Sequence, residues 1–287
     1  MIKQYVNLAL LALTVILATA CGGEQKQEQA ASQPATQAAH EQEISSLRIG
    51  VCPGPYGKMT EDAIAPYLAK KGITVEVVEF ADYVQPNMAL ESGDIDANLF
   101  QNPNYLDSVL ANLGLKIVPI INVPTLGLGI FSEVYTSFEQ LKEGDKVAIP
   151  NDAVNLARAL RIARDFGLIT LKQESDDAKA SLGDVDTNKY GIAFELIDAA
   201  QIARMLDSVA LGFVPGNFAI AADLEYSKAV AIEEVGERIK NLIVVREGDK
   251  DTIGRILKEA VESDDFRQAI EGNDYYKGFT RPSWWDK

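Results

Sequence analysis

The chain has almost no histidine and very little cysteine. Its 287 residues include one histidine, His40, and two cysteines, Cys21 and Cys52. A Ser-His-Asp triad, a Cys-His pair and a histidine-based zinc site all need an imidazole in a folded region. His40 stands in a polar segment with almost nothing apolar to bury. These site classes are therefore excluded, and we expect no metal and no cofactor.

Positive charge is also scarce. The chain has 27 Lys and Arg against 42 Asp and Glu, for a formal net charge of −15. The basic residues form no stripe along the sequence. Because contacts with phosphates dominate the affinity of proteins for nucleic acids, we do not expect a nucleic-acid partner. The acidity favours solubility.

The sequence lacks a long hydrophobic run. Lys3 precedes an apolar stretch over residues 6–18, which is shorter than the about 20 residues of a membrane-spanning helix. A positive start, a short apolar run and small residues predict an export signal peptide over residues 1–20. The sequence Leu17-Ala-Thr-Ala-Cys21-Gly-Gly resembles a lipoprotein processing site, which implies that Cys21 is lipidated, for example with palmitate. The alternative is ordinary cleavage near Ala20, which leaves a free cysteine.

The composition of residues 21–46 predicts a flexible tether. After Cys21 the segment consists mainly of Gln, Glu, Ala, Ser and Pro. Such a composition cannot bury enough apolar surface to offset its ordering entropy, so we expect disorder. A flexible coil of about 25 residues reaches roughly 25–30 Å. The protein is thus expected in the cell envelope, anchored to a membrane by lipid and facing the periplasm; the sequence does not indicate which membrane.

From residue 47 onward, β-rich runs alternate with helical patterns. The predicted strands are 47–51, 75–80, 97–100, 116–123, 126–131, 146–149, 191–197, 209–214 and 241–246. The predicted helices are 57–71, 86–92, 103–113, 153–166, 199–206, 252–262 and 266–271. Residues 171–190 look polar and irregular. This alternation predicts an α/β fold.

The pattern divides into two lobes. Pro124 separates two strands at the point where we expect the chain to leave lobe 1, and the strand 241–246 is expected to return to it. Lobe 1 would comprise residues 47–125 and 234–287, and lobe 2 residues 126–233. Two lobes joined by two crossings, with a ligand cleft between them, form the plan of periplasmic binding proteins, which close by hinge motion. The aromatic segment 279–287 is expected to pack on lobe 1, with an exposed partner surface as the alternative.

Residues 80–105 combine aromatic rings with neutral amides. The rings are those of Phe80, Tyr83, Phe100 and Tyr105, and the amides are those of Asn87, Asn98, Gln101, Asn102 and Asn104. This mixture suits a small ligand, because rings bury an apolar tail and a few amides orient a polar head. The alternative is an amphipathic helix and a short buried strand, with the amides as caps and turn residues.

The order of residues in this segment resembles a known family. Asp82-Tyr-Val-x-Pro-Asn, then Ala89-Leu, then Gly93-Asp-Ile-Asp-Ala-Asn-x-Phe-Gln, and finally Tyr105-Leu are similar to the NlpA-type methionine-binding lipoproteins of bacterial ABC importers. The resemblance implies that Tyr83 and Phe100 surround the ligand side chain, where each sulfur–aromatic contact contributes roughly 0.3–1.5 kcal/mol. The family has histidine after Phe-Gln, whereas this chain has Asn102.

A second motif contains an arginine that is a candidate partner for the carboxylate of a ligand. In Ile149-Pro-Asn-Asp-Ala-Val-Asn-Leu-Ala-Arg158, Asn155 and Arg158 are three residues apart, on one face of a predicted helix. An arginine can donate two parallel hydrogen bonds to a carboxylate and stays charged. The stretch resembles the family's Pro-Asn-Asp-x-x-Asn-Leu-x-Arg, in which the arginine holds the ligand carboxylate. The alternative is a solvated arginine, a role that Arg161 and Arg164 fit better.

Two further asparagines match the family less completely. Asn241 corresponds to a position that helps to hold the polar head of the ligand. Phe213-Val-Pro-Gly-Asn-Phe-Ala resembles the family's Ile-Asn-Gly-Asn-Tyr-Ala, but Pro215 replaces the first asparagine, a ligand contact. Proline has no amide side chain and no backbone donor. Asn217 is retained, with a simple helix cap as its alternative role.

These observations lead to one functional expectation and three alternatives. We expect a lipid-anchored, monomeric substrate-binding protein that captures methionine or a related amino acid for an ABC permease, without a catalytic step. The same fold could bind a different amino acid or a short peptide. It could also be a non-transport surface lipoprotein with a degenerate pocket, which Pro215 favours. An enzyme on this fold needs an acid or base in the cleft, and the predicted cleft offers amides, rings and one arginine.

Overall fold

The computed structural model describes residues 44–176 and 178–286. The predicted signal peptide, Cys21, His40 and most of the predicted tether lie outside the described residues. Among those described, no helix is both long enough and apolar enough to cross a membrane.

The described part of the chain forms twelve strands and eight α-helices. The strands are β1 (Ser46–Val51), β2 (Thr74–Glu79), β3 (Ala97–Gln101), β4 (Ile117–Asn122), β5 (Gly129–Phe131), β6 (Lys146–Pro150), β7 (Ile169–Leu171), β8 (Val185–Asn188), β9 (Ala193–Ile197), β10 (Leu211–Val214), β11 (Ala231–Ile232) and β12 (Leu242–Arg246). The helices are α1 (Pro55–Met59), α2 (Ala65–Ala69), α3 (Gln85–Ser92), α4 (Pro103–Leu113), α5 (Ala153–Asp165), α6 (Gly216–Ala221), α7 (Arg255–Glu262) and α8 (Asp264–Glu271). A wide helical turn, Thr60–Ile64, joins α1 to α2.

Ten of the strands form two five-stranded sheets, and each sheet is the centre of one lobe. Lobe 1 has the strand order β2-β1-β3-β12-β4, in which β1 is parallel to β2 and β3, and β12 is antiparallel to β3 and β4. Lobe 2 has the order β11-β5-β10-β6-β9, in which β6 is parallel to β10 and β9. The alternating pattern therefore predicted the α/β architecture correctly.

Each sheet has its own apolar core. Strands that are buried on both faces read as continuous hydrophobic runs, as in Val147–Ile149 of lobe 2 and Leu242–Val245 of lobe 1. Helices α1, α2, α7 and α8 cover the sheet of lobe 1, and α5 covers that of lobe 2. At about 25 cal/mol per Å² of apolar surface, this burial is the main stabilising contribution to each lobe.

The chain passes between the sheets twice. The first crossing lies between β4 and β5 and the second between β11 and β12. The two crossings are bonded to each other, because the Glu233 amide donates to the Leu128 carbonyl at 2.9 Å. Strand β12 returns to the sheet of lobe 1, as the sequence predicted. The exact lobe boundaries at 125/126 and 233/234 stay a prediction.

Two local predictions were wrong. Residues 199–206 do not form an α-helix; a short 3-10 turn, Ile202–Met205, follows an Asp198 side chain that accepts from the Ala200 amide at 2.9 Å. Local side-chain bonds of this kind compete with helical bonds. Residues 171–190 are not wholly irregular, since β7 and β8 form an antiparallel hairpin.

Cys52 is buried, and the expected packing of the aromatic tail on lobe 1 is confirmed. Cys52 is a buried free thiol at the end of β1, where burial raises its pKa and its Sγ donates to the Asp82 carbonyl at 3.2 Å. Trp285 is buried in the core of lobe 1, with its ring centroid 6.1 Å from that of Phe266. The neighbouring Trp284 donates through Nε1 to the Asn122 carbonyl at 2.8 Å. The aromatic tail thus packs on lobe 1.

Candidate functional site

Strand ends in lobe 1 place one half of the site. Strand β3 ends at Gln101, and Asn102 then caps α4 by accepting from the Tyr105 amide at 3.0 Å. Strand β12 runs antiparallel to β3, so its start pairs with the end of β3, at Leu242 and Gln101. Asn241 immediately precedes that pair. The antiparallel pairing of β3 and β12 therefore brings Asn102 and Asn241 to the same edge of the sheet, although they are 139 positions apart in sequence.

Strand ends in lobe 2 place the other half. Strands β6 and β10 are parallel neighbours, and each is followed by a helix, α5 and α6 respectively. Helix α5 begins after Asp152, whose Oδ1 accepts from the Asn155 amide at 2.9 Å. The first turns of α5 and α6 therefore lie at the same edge of the sheet. Crevices beyond the carboxyl ends of parallel strands are the usual ligand sites of α/β folds.

A cavity lies between these two edges. The space between them, counted with the open solvent at its mouth, is about 390 Å³. All seven ligand-binding residues predicted from the sequence line it: Tyr83, Phe100, Asn102, Asn155, Arg158, Asn217 and Asn241. The structure thus brings the whole predicted set together, from both lobes. Their roles in binding stay a prediction.

Arg158 is fixed by a buried ion pair that the sequence reasoning missed. Its Nε donates to both carboxylate oxygens of Glu233, at 2.9 and 3.1 Å, and its Nη2 donates to Oε2. The two side chains are 8% and 6% exposed. Burial alone lowers the pKa of Arg158, but the charge and hydrogen bonds of Glu233 outweigh it and the pKa is raised. Arg158 is therefore a permanently charged, oriented donor and not a solvated side chain.

Asn155 continues this polar arrangement. Its Nδ2 donates to Asp152 Oδ1 and Oδ2 at 3.2 and 3.1 Å, while its Oδ1 accepts from Arg158 Nη1 at 3.4 Å. Because Asp152 holds the amino side of the amide, the carbonyl oxygen of Asn155 is directed toward Arg158 and the cavity. The predicted helical spacing of Asn155 and Arg158 is confirmed by this contact.

The amides of lobe 1 are held by hydrogen bonds behind the cavity wall. Asn241 Nδ2 donates to the Phe100 carbonyl at 2.8 Å, and the Asn241 amide donates to Thr125 Oγ1 at 2.8 Å. Gln101 exchanges two bonds with Asn87, at 2.9 and 2.7 Å. All four polar side chains are buried. A fully bonded buried network of this kind gives the wall one arrangement.

Aromatic rings form one wall of the cavity. The Tyr83 ring lies 6.0 Å from Phe100 and 5.8 Å from Tyr105, measured between centroids. Phe218 of lobe 2 lies 5.1 Å from Tyr83, across the cleft. Such ring clusters offer a large apolar surface to a ligand side chain. The dense aromatic and amide composition of residues 80–105 therefore reflects a real cluster.

Asn217 bridges the two lobes and does not cap a helix. Its Oδ1 accepts from the Tyr83 hydroxyl at 2.6 Å, and its Nδ2 donates to the Pro53 carbonyl at 3.0 Å. Burial raises the pKa of Tyr83 well above its usual value, so the hydroxyl keeps its proton. Pro215, which also lines the cavity, occupies the cap position of α6. The alternative role of Asn217 as a cap is therefore wrong.

The lobes also meet at the backbone beside Asn217. Gly54 has φ +123°, a conformation that favours glycine. A Cβ added there would lie 2.3 Å from the carbonyl oxygen of Asn217. Gly54 therefore allows the main chains of the two lobes to approach each other directly.

The cavity carries very little charge. Of the fourteen described residues that line it, Arg158 is the one with a charged side chain. Within residues 44–176 and 178–286, no three His, Cys, Asp or Glu side chains cluster so as to hold a metal ion. The arrangement offers one buried cation, several amide and hydroxyl groups, and aromatic rings. This chemistry suits binding of a small molecule with one carboxylate.

Several lining residues were not among the predicted set. They are Tyr56, Gln101, Tyr105, Thr125, Leu126, Pro215 and Gly216. Gln101 and Tyr105 stand inside the motif of residues 80–105, so the motif itself contained the signal. The Tyr56 ring is buried at the start of α1, and nothing in its local sequence indicates a role in the site.

Comparison with known proteins identifies relatives over most of the chain. The family model described as NlpA lipoprotein matches residues 47–284. Outer membrane lipoprotein 2 of Mannheimia haemolytica is 34% identical over 272 residues, which are 94% of this chain and 95% of that protein. The D-methionine-binding lipoprotein MetQ of Escherichia coli K12 is 32% identical over 248 residues, 85% of this chain and 90% of MetQ.

Solved structures agree with this assignment. A nutrient-binding protein from Burkholderia cenocepacia, solved bound to methionine, has a TM-score of 0.77 and is 34% identical, covering 82% of this chain and 99% of that one. The structure of the methionine-binding protein MetQ has a TM-score of 0.76 at 33% identity, covering 82% and 96% respectively. The predicted two-lobed α/β binding-protein fold is confirmed.

Proposed function

This chain belongs to the NlpA lipoprotein family, and from that premise we propose that it captures methionine or a related amino acid for an ABC importer. One observation carries the proposal. The seven residues predicted from sequence, which come from both lobes, line a single cavity with one buried cation. Relatives that are 32% identical over 85% of the chain are named for binding D-methionine.

The geometry supports a specific mode of binding. The ligand carboxylate accepts from the N–H groups of Arg158 Nη1 and Nη2 that remain after the bonds to Glu233 and Asn155. The α-ammonium group donates to uncharged oxygens, of which Asn155 Oδ1 is directed toward the cavity. The thioether side chain packs against Tyr83 and Phe100. Each group of the amino acid thus has a partner of suitable chemistry.

The mechanism is capture followed by closure of the lobes. Asn217 and Tyr83 join the lobes in the structure, and a ligand that touches both lobes adds its binding energy to the closed form. We propose that a monomer with a lipid on Cys21 presents the closed form to a permease at the membrane. No bond is made or broken in the ligand, and we propose no catalytic step.

Titration calorimetry of the purified full-length chain with L- and D-methionine tests this proposal. The protein is first unfolded and refolded to remove bound ligand. We expect binding with micromolar or lower Kd that is lost in Arg158→Ala and kept in Arg164→Ala, a control on the same helix. Circular dichroism checks that both variants fold. Binding that survives Arg158→Ala in full would contradict the proposed carboxylate contact.

Pro215 supports a second candidate ligand. The family resemblance implies an asparagine in contact with the ligand at this position, whereas this chain has Pro215, which lines the cavity. The chain therefore has one side-chain amide fewer at the polar end of the site. Another amino acid or a dipeptide could suit such a site better than methionine. A screen of amino acids and dipeptides by thermal shift separates these ligands, and a complete absence of binding would favour a surface lipoprotein without a transport role.

A further inference from the structure

Glu233 has no part in the binding mode described above, yet it is bonded to the centre of the site. It lies in the second crossing, directly after β11, and its side chain is 6% exposed. It does not line the ligand cavity. The Arg158 guanidinium stands between the Glu233 carboxylate and the cavity.

The carboxylate of Glu233 is held in place from two sides. Oε1 and Oε2 accept from Arg158 in lobe 2, and Oε2 also accepts from the Leu128 amide of the first crossing at 3.0 Å. These charged and backbone donors fix the position of the carboxylate directly beside Arg158.

This charge sets the electrostatic balance of the cavity. Arg158 and Glu233 together have a net charge of zero. The nearby Asp152 carboxylate lies at the start of α5, where bonds from the amide and side chain of Asn155 and the positive end of the helix dipole offset part of its charge. The site that a ligand meets thus has no net positive charge, although its one charged lining residue is a cation.

We propose that Glu233 is a specificity-determining residue, which makes the site select amino acids that keep their α-ammonium group over their monoanionic analogues. This inference rests on the proposed function. A zwitterion carries a positive group that the Glu233 carboxylate attracts. A monoanion has the same carboxylate partner in Arg158, but it lacks that positive group and gains nothing from Glu233.

The expected size of the effect follows from Coulomb's law. At an effective dielectric constant of about 20, two unit charges about 10 Å apart interact strongly enough to change an affinity roughly tenfold. Shorter separations give more. The α-ammonium group of an amino acid therefore gains about this factor from Glu233, and a hydroxyl group in its place gains none of it.

The test compares two nearly isosteric ligands on the full-length chain. The probes are L-methionine and L-2-hydroxy-4-(methylthio)butanoate, in which a hydroxyl replaces the ammonium group. Titrations use the wild type, Glu233→Gln, and Glu234→Gln, an exposed neighbour with the same change of charge. We expect the wild type to prefer methionine by at least about tenfold. Glu233→Gln should reduce that preference about tenfold, and Glu234→Gln should leave it unchanged.

The ratio of the two affinities separates this role from a structural one. Poorer orientation of Arg158 weakens both ligands alike and cancels in the ratio. Glu233→Asp keeps the charge, so it should keep the wild-type preference even if both affinities fall. A folded Glu233→Gln protein with the wild-type preference would overturn the inference.

Results on the wild type alone can also decide the matter. Equal affinity for the two ligands overturns the inference, whether or not Glu233→Gln folds, and leaves the proposed function standing. Failure to bind either methionine or its hydroxy analogue removes the proposed function and this inference together. The two kinds of failure are therefore distinguishable.

Discussion

Removal of Arg158 should destabilise the protein even in the absence of ligand. In Arg158→Leu the Glu233 carboxylate, whose side chain is 6% exposed in the wild type, loses its cation. Breaking a buried ion pair by removing one partner costs about 3–5 kcal/mol, because the remaining charge is unpaired. This is a large part of the 5–15 kcal/mol that typically stabilises a folded domain.

Thermal and urea unfolding of the ligand-free protein measure this cost. For a folded region of this size, each kcal/mol corresponds to about 2–4 °C in Tm. We therefore expect Tm to fall by about 10 °C in Arg158→Leu. The double variant Arg158→Leu, Glu233→Gln removes the unpaired charge and keeps an oxygen acceptor for the Leu128 amide. It should regain at least half of the lost stability.

An exposed ion pair provides the matched control. Arg238 and Asp107 are joined by a bond of 2.5 Å, but their side chains are 62% and 63% exposed. Exposed pairs contribute at most about 1 kcal/mol, so Arg238→Leu should change Tm by only a few degrees. If Arg158→Leu is as stable as the wild type, or if the double variant is no more stable than the single one, the reasoning about the buried pair is refuted.

Three further predictions concern other contacts. Tyr83→Phe removes the donor to Asn217 Oδ1 that joins the lobes; methionine affinity should fall about 3- to 10-fold in calorimetry, because the closed form loses a hydrogen bond. Burial alone raises the pKa of Asp96, but the hydrogen bonds and charge of Arg48 outweigh it and lower the pKa. Asp96→Asn should therefore lower the free energy of unfolding in urea by about 1 kcal/mol at neutral pH. The difference from the wild type should vanish as the pH falls through the lowered pKa of Asp96, which lies below the value of about 3.9 for an aspartate in the unfolded chain. Trp285→Ala leaves a cavity in the core of lobe 1 and should cost about 3–5 kcal/mol.

Each of these predictions has a control in the chain. Tyr105→Phe removes a hydroxyl that bonds within lobe 1, to the Tyr83 carbonyl at 3.2 Å, and should affect closure less. Asp94→Asn alters an exposed carboxylate near Asp96, so a stability difference with the same pH dependence there would contradict the role of the Asp96–Arg48 contact. Phe166→Ala truncates a ring that is 40% exposed and should cost much less than Trp285→Ala. Equal losses for the two ring truncations would mean that the tail is not packed as described.

The parts of the fold that sequence predicted are those fixed by local pattern. Helix α4 begins and ends as predicted, because Pro103 suits a helix start and Gly114 takes the left-handed conformation at its end. The spacing of Asn155 and Arg158 likewise depends only on helical geometry. The prediction of a helix over residues 199–206 was wrong, because the hydrogen bond of the Asp198 side chain competes with helical bonds and hydrophobic spacing does not reveal it.

The parts of the site that sequence missed depend on distant contacts. Glu233 is 75 positions from Arg158, and Asn217 is 134 positions from Tyr83. No local pattern marks a glutamate after a short edge strand as the partner of a binding arginine. The motif resemblance located the residues of the cavity wall, but only the topology of the two crossings places Glu233 behind that wall.

The backbone contact at Gly54 has a consequence for signalling between this protein and a membrane partner. Because a carbonyl of one lobe lies close to the main chain of the other, we expect peptide groups there to resist any further closure, whichever molecule is captured. Different cargoes should then produce one and the same outer shape. A permease that recognises this closed form would respond to the population of that form. The transport of different ligands would then depend on the fraction of time for which each one keeps the lobes closed.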